Sequence, residues 1–144
     1  MKTPATINHM LPELRRAARA VRRRAYAPYS GFRIGAAVLA GNGCIYTGAN
    51  VENASYGLTI CAERSAVSAA VAAGQKKIRA VLISANPAAA PCGACRQVLV
   101  EFAAPDCPVY LDQADGRRAP ACLRLDQLLP CAFRLQRSPS GGPP

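Results

Sequence analysis

Two short cysteine motifs constrain this chain most. Cys61-Ala62-Glu63 and Pro91-Cys92-Gly93-Ala94-Cys95 each open a stretch with helical patterning. Cys92 and Cys95 stand three apart at one helix start, so both sulfurs can converge on one ion. The free N–H groups and dipole of a helix N-terminus favour the thiolate, the form that binds metal. Cys61, at the other helix start, can supply a third sulfur. Three soft sulfur donors point to zinc, and three protein ligands leave one coordination position open, as in a catalytic site. Glu63 is placed to take a proton from water held at that position. Two plainer readings stand beside this one: a closed zinc site with Cys44 or Cys107 as fourth ligand, and cysteines that only fill core. Seven cysteines is an odd number, and no secretory signal opens the sequence, so a disulfide framework is not expected.

The rest of the pattern predicts one α/β domain. A length of 144 residues suits one compact unit, and 51% hydrophobic with 18% charged residues excludes a wholly disordered chain. No apolar run approaches the roughly 20 residues that span a bilayer. Helical spacing of Leu11, Leu14, Ala18 and Val21 predicts a helix over 10–26. Strands follow at 32–39 and 45–51, joined by Gly41-Asn42-Gly43 into a hairpin, with a loop over 52–59. A helix is expected from Cys61 to Ala73, stopped by Gly74, and a buried strand over 78–85. Another helix spans Cys92 to Ala103, then strands at 108–111 and 119–125 and a helical turn at 126–129. The link between the last two strands is too short for a helical crossover, so they should pair antiparallel. The order predicts a mixed sheet of about five strands with helices on both faces. Residues 1–9, with the lone His9, are expected to be flexible, 10–133 to form the domain, and 134–144 to be a disordered tail.

Eighteen Lys and Arg against eight Asp and Glu give a net charge of +10. Arg15, Arg16, Arg19, Arg22, Arg23 and Arg24 crowd the first long helix. The surplus suits either a solvated basic face or an anionic partner. No aromatic residue is interleaved with these arginines to stack bases, which argues against nucleic acid.

Several longer motifs resemble the small homotetrameric zinc-dependent cytidine deaminases. They are APYSGFRIGAA (27–37), NVENASYGLTICAER (50–64), PCGACRQVL (91–99) and LLPCAF (128–133). The resemblance implies that family's three-layer fold over residues 10–133, with one zinc ion per subunit on Cys61, Cys92 and Cys95. It further implies Glu63 as proton shuttle, Asn50 and Glu52 on the ribose hydroxyls, Phe32 against the pyrimidine, and the Ala62 backbone orienting the base. Ala54, Tyr56 and Phe133 match positions that reach a neighbouring subunit's site. Arg64 matches an arginine held beside the zinc sulfurs. Three thiolates and Zn²⁺ sum to −1, and a guanidinium next to the sulfurs offsets that charge. Independently, AsnValGlu sets Asn50 and Glu52 on one face of a strand end, and an amide with a carboxylate suits a sugar diol. Ala49 and Ala90 depart from the family's usual cysteine and serine without touching a ligand or proton carrier. The implied activity is hydrolysis of cytidine and 2′-deoxycytidine to the uridines in pyrimidine salvage, in a cytoplasmic homotetramer without a membrane segment. Rival readings are a deaminase of RNA or single-stranded DNA, and a non-catalytic zinc or nucleoside-binding module.

Overall fold

Gly41, Asn42 and Gly43 turn the chain between two antiparallel strands, β1 (Gly35–Ala40) and β2 (Ile45–Ala49), and Gly43 takes the left-handed φ of +84° that such a turn needs. The computed structural model describes residues 5–136. Around the hairpin stand α1 (Ala5–Asn8), α2 (Leu11–Arg22), α3 (Ala62–Ala72), β3 (Ile78–Ala85), α4 (Gly93–Phe102), β4 (Pro108–Gln113), β5 (Ala121–Arg124) and α5 (Leu125–Leu128). A short 3-10 turn, Tyr56–Leu58, interrupts the loop after β2.

The sheet runs β2-β1-β3-β4-β5. Only β3 and β4 are parallel, because α4 carries the chain back between them. The β4–β5 pair is antiparallel, as its short link requires. Alternation along β3 feeds two cores. Val81 and Ile83 pack with Ala66, Val67 and Ala70 of α3, Leu99 of α4 and Leu125 of α5. Ala80 and Leu82 pack with Leu14 and Ala18 of α2. Burial on both faces is why the middle of β3, residues 80–83, reads as an apolar run. The architecture is three layers, with α1 and α2 on one side of a five-stranded mixed sheet and α3, α4 and α5 on the other.

Three expectations need correction. Residues 5–8 of the supposedly flexible N-terminus form α1, since Ile7 is buried in the α2-side core. The first long helix ends at Arg22, not 26: Tyr26 leaves it to donate from its N–H to the Asn50 carbonyl and accept from the Glu52 N–H. β1 starts at Gly35, because the Asn50 side chain claims the backbone of residues 32–34. Outside the two motifs, Cys107 is buried and Cys44, Cys122 and Cys131 are exposed. Of the expected tail, residues 134–136 are exposed and 137–144 lie outside the described residues.

Two contacts fix the layers. Asp112 of β4 has no exposed side-chain surface and accepts from Arg15 Nε (2.7 Å), Arg19 Nε (2.8 Å) and Ser84 Oγ (2.8 Å). This clamps α2 to the sheet. On the opposite side Gly48 of β2 lets α3 come so close that a Cβ there would lie 2.3 Å from Ala66 N.

Candidate active site

Cys61 and Cys92 are the N-caps of α3 and α4, both with extended backbone (φ −72°, ψ 152° and φ −66°, ψ 167°). Each therefore sits where the helix exposes unpaired N–H groups. Cys92 Sγ accepts from the Cys95 N–H at 3.5 Å. The Cys61 and Cys92 sulfurs are 3.8 Å apart, those of Cys92 and Cys95 3.3 Å, and all three lie within 4.8 Å of one another. A tetrahedral ion bonded to sulfur at about 2.3 Å spaces its sulfurs by about 3.8 Å. The donor set and spacing fit zinc, one ion per chain. Neither Cys44 nor Cys107 joins the cluster among the described residues, so a closed four-sulfur site is not formed.

The electrostatics are those of a cluster awaiting a cation. The Cys61 thiol is pushed down to about 5, first by a hydrogen bond from Cys95 and further by Arg64. Cys95 is pushed up, first by giving its proton to that bond and then by burial. Arg64 Nη2 donates to Thr59 O (3.2 Å) and to Cys61 Sγ (3.7 Å), and its buried Nε has no partner. Glu63 is 4% exposed, its Oε2 has no hydrogen-bond partner, and burial first of all raises its pKa. Cys61 and Cys95 both lie within its electrostatic reach. Ala62, between Cys61 and Glu63, is fully buried in the first turn of α3.

The side chains expected around a nucleoside are arranged less simply. Asn50 is buried, and its amide turns inward: Oδ1 accepts from Ile34 N and Nδ2 donates to Phe32 O, both at 2.8 Å. It shapes the segment presenting Phe32, whose ring is half-buried. Glu52 accepts from the N–H groups of Tyr29 (2.9 Å) and Ser30 (3.3 Å) and from the Ser30 hydroxyl. The Ser30 hydroxyl, first among these, lowers its pKa. A cavity of about 320 Å³ opens between Tyr29, Ser30, Glu52, Tyr56 and Thr59. Tyr29 and Tyr56 meet edge to face, with centroids 6.1 Å apart. Tyr56 is 76% and Phe133 71% exposed, and Ala54 is exposed too.

Sequence reasoning missed Tyr29 and Ser30 as the cradle of Glu52, although both lie inside a motif it quoted. It weighed Arg96 only as a weaker candidate than Arg64 for offsetting the thiolate charge, whereas Arg96 donates to Pro91 O and Leu128 O. A larger groove, about 760 Å³, runs along α2 between Arg15, Arg16, Arg19 and Arg23, but Arg15 and Arg19 spend their guanidinium groups on Asp112.

Comparison with known proteins bears on the whole arrangement. Residues 10–111 match the family model for the cytidine and deoxycytidylate deaminase zinc-binding region. A cytidine deaminase of Halalkalibacterium halodurans is 45% identical over 114 residues, covering 78% of this chain and 85% of the relative. The crystal structure of cytidine deaminase from Burkholderia pseudomallei superposes with a TM-score of 0.79 at 43% identity, covering 85% of this chain and 98% of that one. That of the Mycobacterium tuberculosis cytidine deaminase gives 0.73 at 40% identity, covering 86% and 97%. With three cysteine sulfurs gathered at two helix starts and a family match across both motifs, this chain belongs to the zinc-binding cytidine and deoxycytidylate deaminase family.

Proposed function

We propose that this chain hydrolyses cytidine, and 2′-deoxycytidine, at C4, consuming water and releasing ammonia and the corresponding uridine. One observation carries the reading: the Glu63 carboxylate is buried beside Cys61 and Cys95 with Oε2 unpartnered. A buried acid with a free oxygen next to three thiolates is a proton carrier without another occupation. Zinc bound by Cys61, Cys92 and Cys95 supplies Lewis acidity that brings the pKa of a coordinated water toward 7.

Glu63 Oε2 takes a proton from the attacking water and delivers it to N3 of the pyrimidine as the water oxygen adds to C4. It then carries the second proton to the departing amine. A carboxyl raised by burial is suited to both directions of transfer, because its two protonation states lie closer in free energy. Arg64 offsets part of the thiolate charge through Cys61 Sγ. Asn50 holds residues 32–34 so that Phe32 faces the pyrimidine, and its second Nδ2–H, with Glu52, meets the ribose hydroxyls. The Ala62 backbone orients the base.

Ala54, Tyr56 and Phe133 complete a neighbouring copy's site in a homotetramer. The exposure of Tyr56, Leu58, Ile60 and Phe133 supports a second copy covering them, since such side chains gain most from burial. Seven free cysteines suit a reducing cytoplasm, and no helix among the described residues is long and apolar enough to cross a membrane.

The test is ultraviolet absorbance of cytidine with purified, zinc-loaded protein. The spectrum should drift to that of uridine with ammonia released in equal amount. A flat trace from folded, zinc-loaded protein, with cytidine and deoxycytidine alike, overturns the substrate assignment.

A further inference from the structure

Residues 130–133 follow α5 and carry Phe133, yet they belong to no sheet or helix. Among the described residues, one hydrogen bond ties these four to the rest of the chain: Gln97 Nε2 donates to Phe133 O at 3.0 Å. One step upstream, Arg96 Nη1 donates to Leu128 O at 2.7 Å. Leu128 closes α5, so its carbonyl lacks a partner within its own helix. The other arm of the same guanidinium, Nε, donates to Pro91 O at 2.8 Å. Pro91 is fully buried and immediately precedes Cys92. Arg96 and Gln97 themselves follow directly on Cys95.

The geometry points to Arg96 as a positioning residue that couples the Cys92 sulfur to the C-terminal strap carrying Phe133. Its fork spans two carbonyls, one governing how the chain enters Cys92 and the other where the strap leaves α5. Gln97 then sets the strap's far end. A guanidinium can make both bonds at once, because its N–H groups diverge in one rigid plane. An ammonium has three donors but all on one nitrogen, so it meets two separated carbonyls less well.

Coupling of this kind is reciprocal. Whatever fixes Cys92 must also steady residue 133, and whatever frees the strap must loosen the sulfur. The inference rests on zinc binding by the three sulfurs, but it does not depend on cytidine being the substrate.

The chain contains no tryptophan, so Phe133→Trp installs a single fluorescent reporter on the strap. In the Phe133→Trp protein, loading zinc should raise the fluorescence anisotropy. In the Phe133→Trp/Arg96→Met protein that response should vanish. Zinc affinity of folded Arg96→Met, read by competition with a chromogenic chelator, should fall about tenfold to a hundredfold, the usual cost of losing a partner that orients a ligand. Arg96→Lys should recover part of the affinity. Gln97→Ala, which cuts the strap's own tie, should weaken zinc binding less than Arg96→Met does, and anisotropy at residue 133 should drop with or without metal.

A merely structural Arg96 would lower the melting temperature and leave both zinc affinity and the zinc response of residue 133 intact in the folded fraction. That result overturns the coupling. Should Arg96→Met not fold, Arg96→Lys and Gln97→Ala decide it: parental affinity and a parental zinc response in both would refute it. Absence of cytidine turnover in the parent, with the zinc-dependent anisotropy present, would count against the proposed substrate and leave the coupling standing.

Discussion

Gly48→Ala should damage stability and catalysis together, and the structure says by how much. A Cβ on residue 48 would lie 2.3 Å from Ala66 N, 2.5 Å from Ala62 O and 2.6 Å from Ser65 Cβ. Unstrained carbon contacts begin at about 3.5 Å, so β2 and α3 must part by about 1 Å. Two of the three obstacles are helix backbone, which cannot rotate away. β2 in turn is registered to β1 over five residue pairs. Overpacking typically costs about 1–3 kcal/mol, and rigid neighbours place this case near the top of that range. At about 2–4 °C per kcal/mol for a chain of this size, the melting temperature should fall by about 6–12 °C. The same displacement carries the start of α3, hence Cys61 and Glu63, away from Cys92 and Cys95. A misplacement of about 1 Å at reacting groups can cost on the order of a hundredfold in rate. The control is Leu14→Ala, whose fully buried side chain packs on the α2 side of the sheet. It should lose about 2–5 kcal/mol of stability yet keep its zinc and its turnover per folded molecule. Melting curves, bound zinc and kcat/KM for the two variants decide the matter. Parental melting and parental kcat/KM in Gly48→Ala would refute the reasoning. So would an equal loss of turnover per folded molecule in Leu14→Ala.

Glu63→Gln keeps shape while removing the proton carrier, so zinc content should hold and kcat should fall by about 10²–10⁴; a rate within tenfold of the parent removes Glu63 from the proton path. Its melting temperature should not drop, because an amide is cheaper to bury than a carboxylate. Asp112 sets the acid limb of stability. Burial acts to raise its pKa, but hydrogen bonds from Arg19, Arg15 and Ser84 outweigh this and hold the carboxyl below its ordinary value. A depressed folded pKa means stability that is present above the unfolded value of about 3.9 and lost as pH falls through the folded one. Urea midpoints should therefore fall more steeply between pH 5 and 3 in the parent than in Asp112→Asn; parallel curves would show the clamp to be idle. Asn50→Asp keeps an acceptor for Ile34 N but sets a carboxylate against Phe32 O. It should cost about 1–3 kcal/mol and raise KM by loosening Phe32, and parental melting with parental KM would count against that role.

The elements bearing the metal ligands were legible because their signals are local. The two cysteine motifs, Gly74 as a helix stop and the apolar run of β3 all describe their own few residues, and the structure reproduces them within a residue or two. What could not be read depends on partners distant in sequence. Arg15 and Asp112 are separated by 97 positions, and nothing in either neighbourhood announces the pair. Alternation put Asn50 on one face of a strand end with Glu52, as a polar pair suited to a sugar diol. The inward turn of Asn50 is decided by the unpaired backbone of residues 32–34, which only the folded hairpin brings alongside. α1 was hidden for a related reason: a four-residue helix has no periodicity to detect, and Ile7 holds it in place from a core contributed by later strands.

The arginine surplus looks different once each guanidinium is traced. Arg15 and Arg19 bind Asp112, and they also donate to the carbonyls of Arg118 (2.6 Å) and Gln113 (3.0 Å). Arg22 donates to Arg33 O at 2.9 Å, fixing the residue after Phe32. Arg64 bridges Thr59 O and a zinc sulfur, and Arg96 bridges Pro91 O and Leu128 O. Four of these five side chains join two separate acceptors each, which the five N–H groups of a guanidinium are well suited to do. In the α2 cluster that leaves Arg16, loosely paired to Glu13 at 3.5 Å, and the exposed Arg23 and Arg24. A basic face reduced to three such groups, with no aromatic platform among them, is a weak footprint for a nucleic-acid strand. Much of the charge that suggested an anionic partner is instead spent internally, on backbone carbonyls, one buried carboxylate and one thiolate. The arginines at residues 64 and 96 serve the metal loops, and those at 15, 19 and 22 hold α2 against the strands that lead to them.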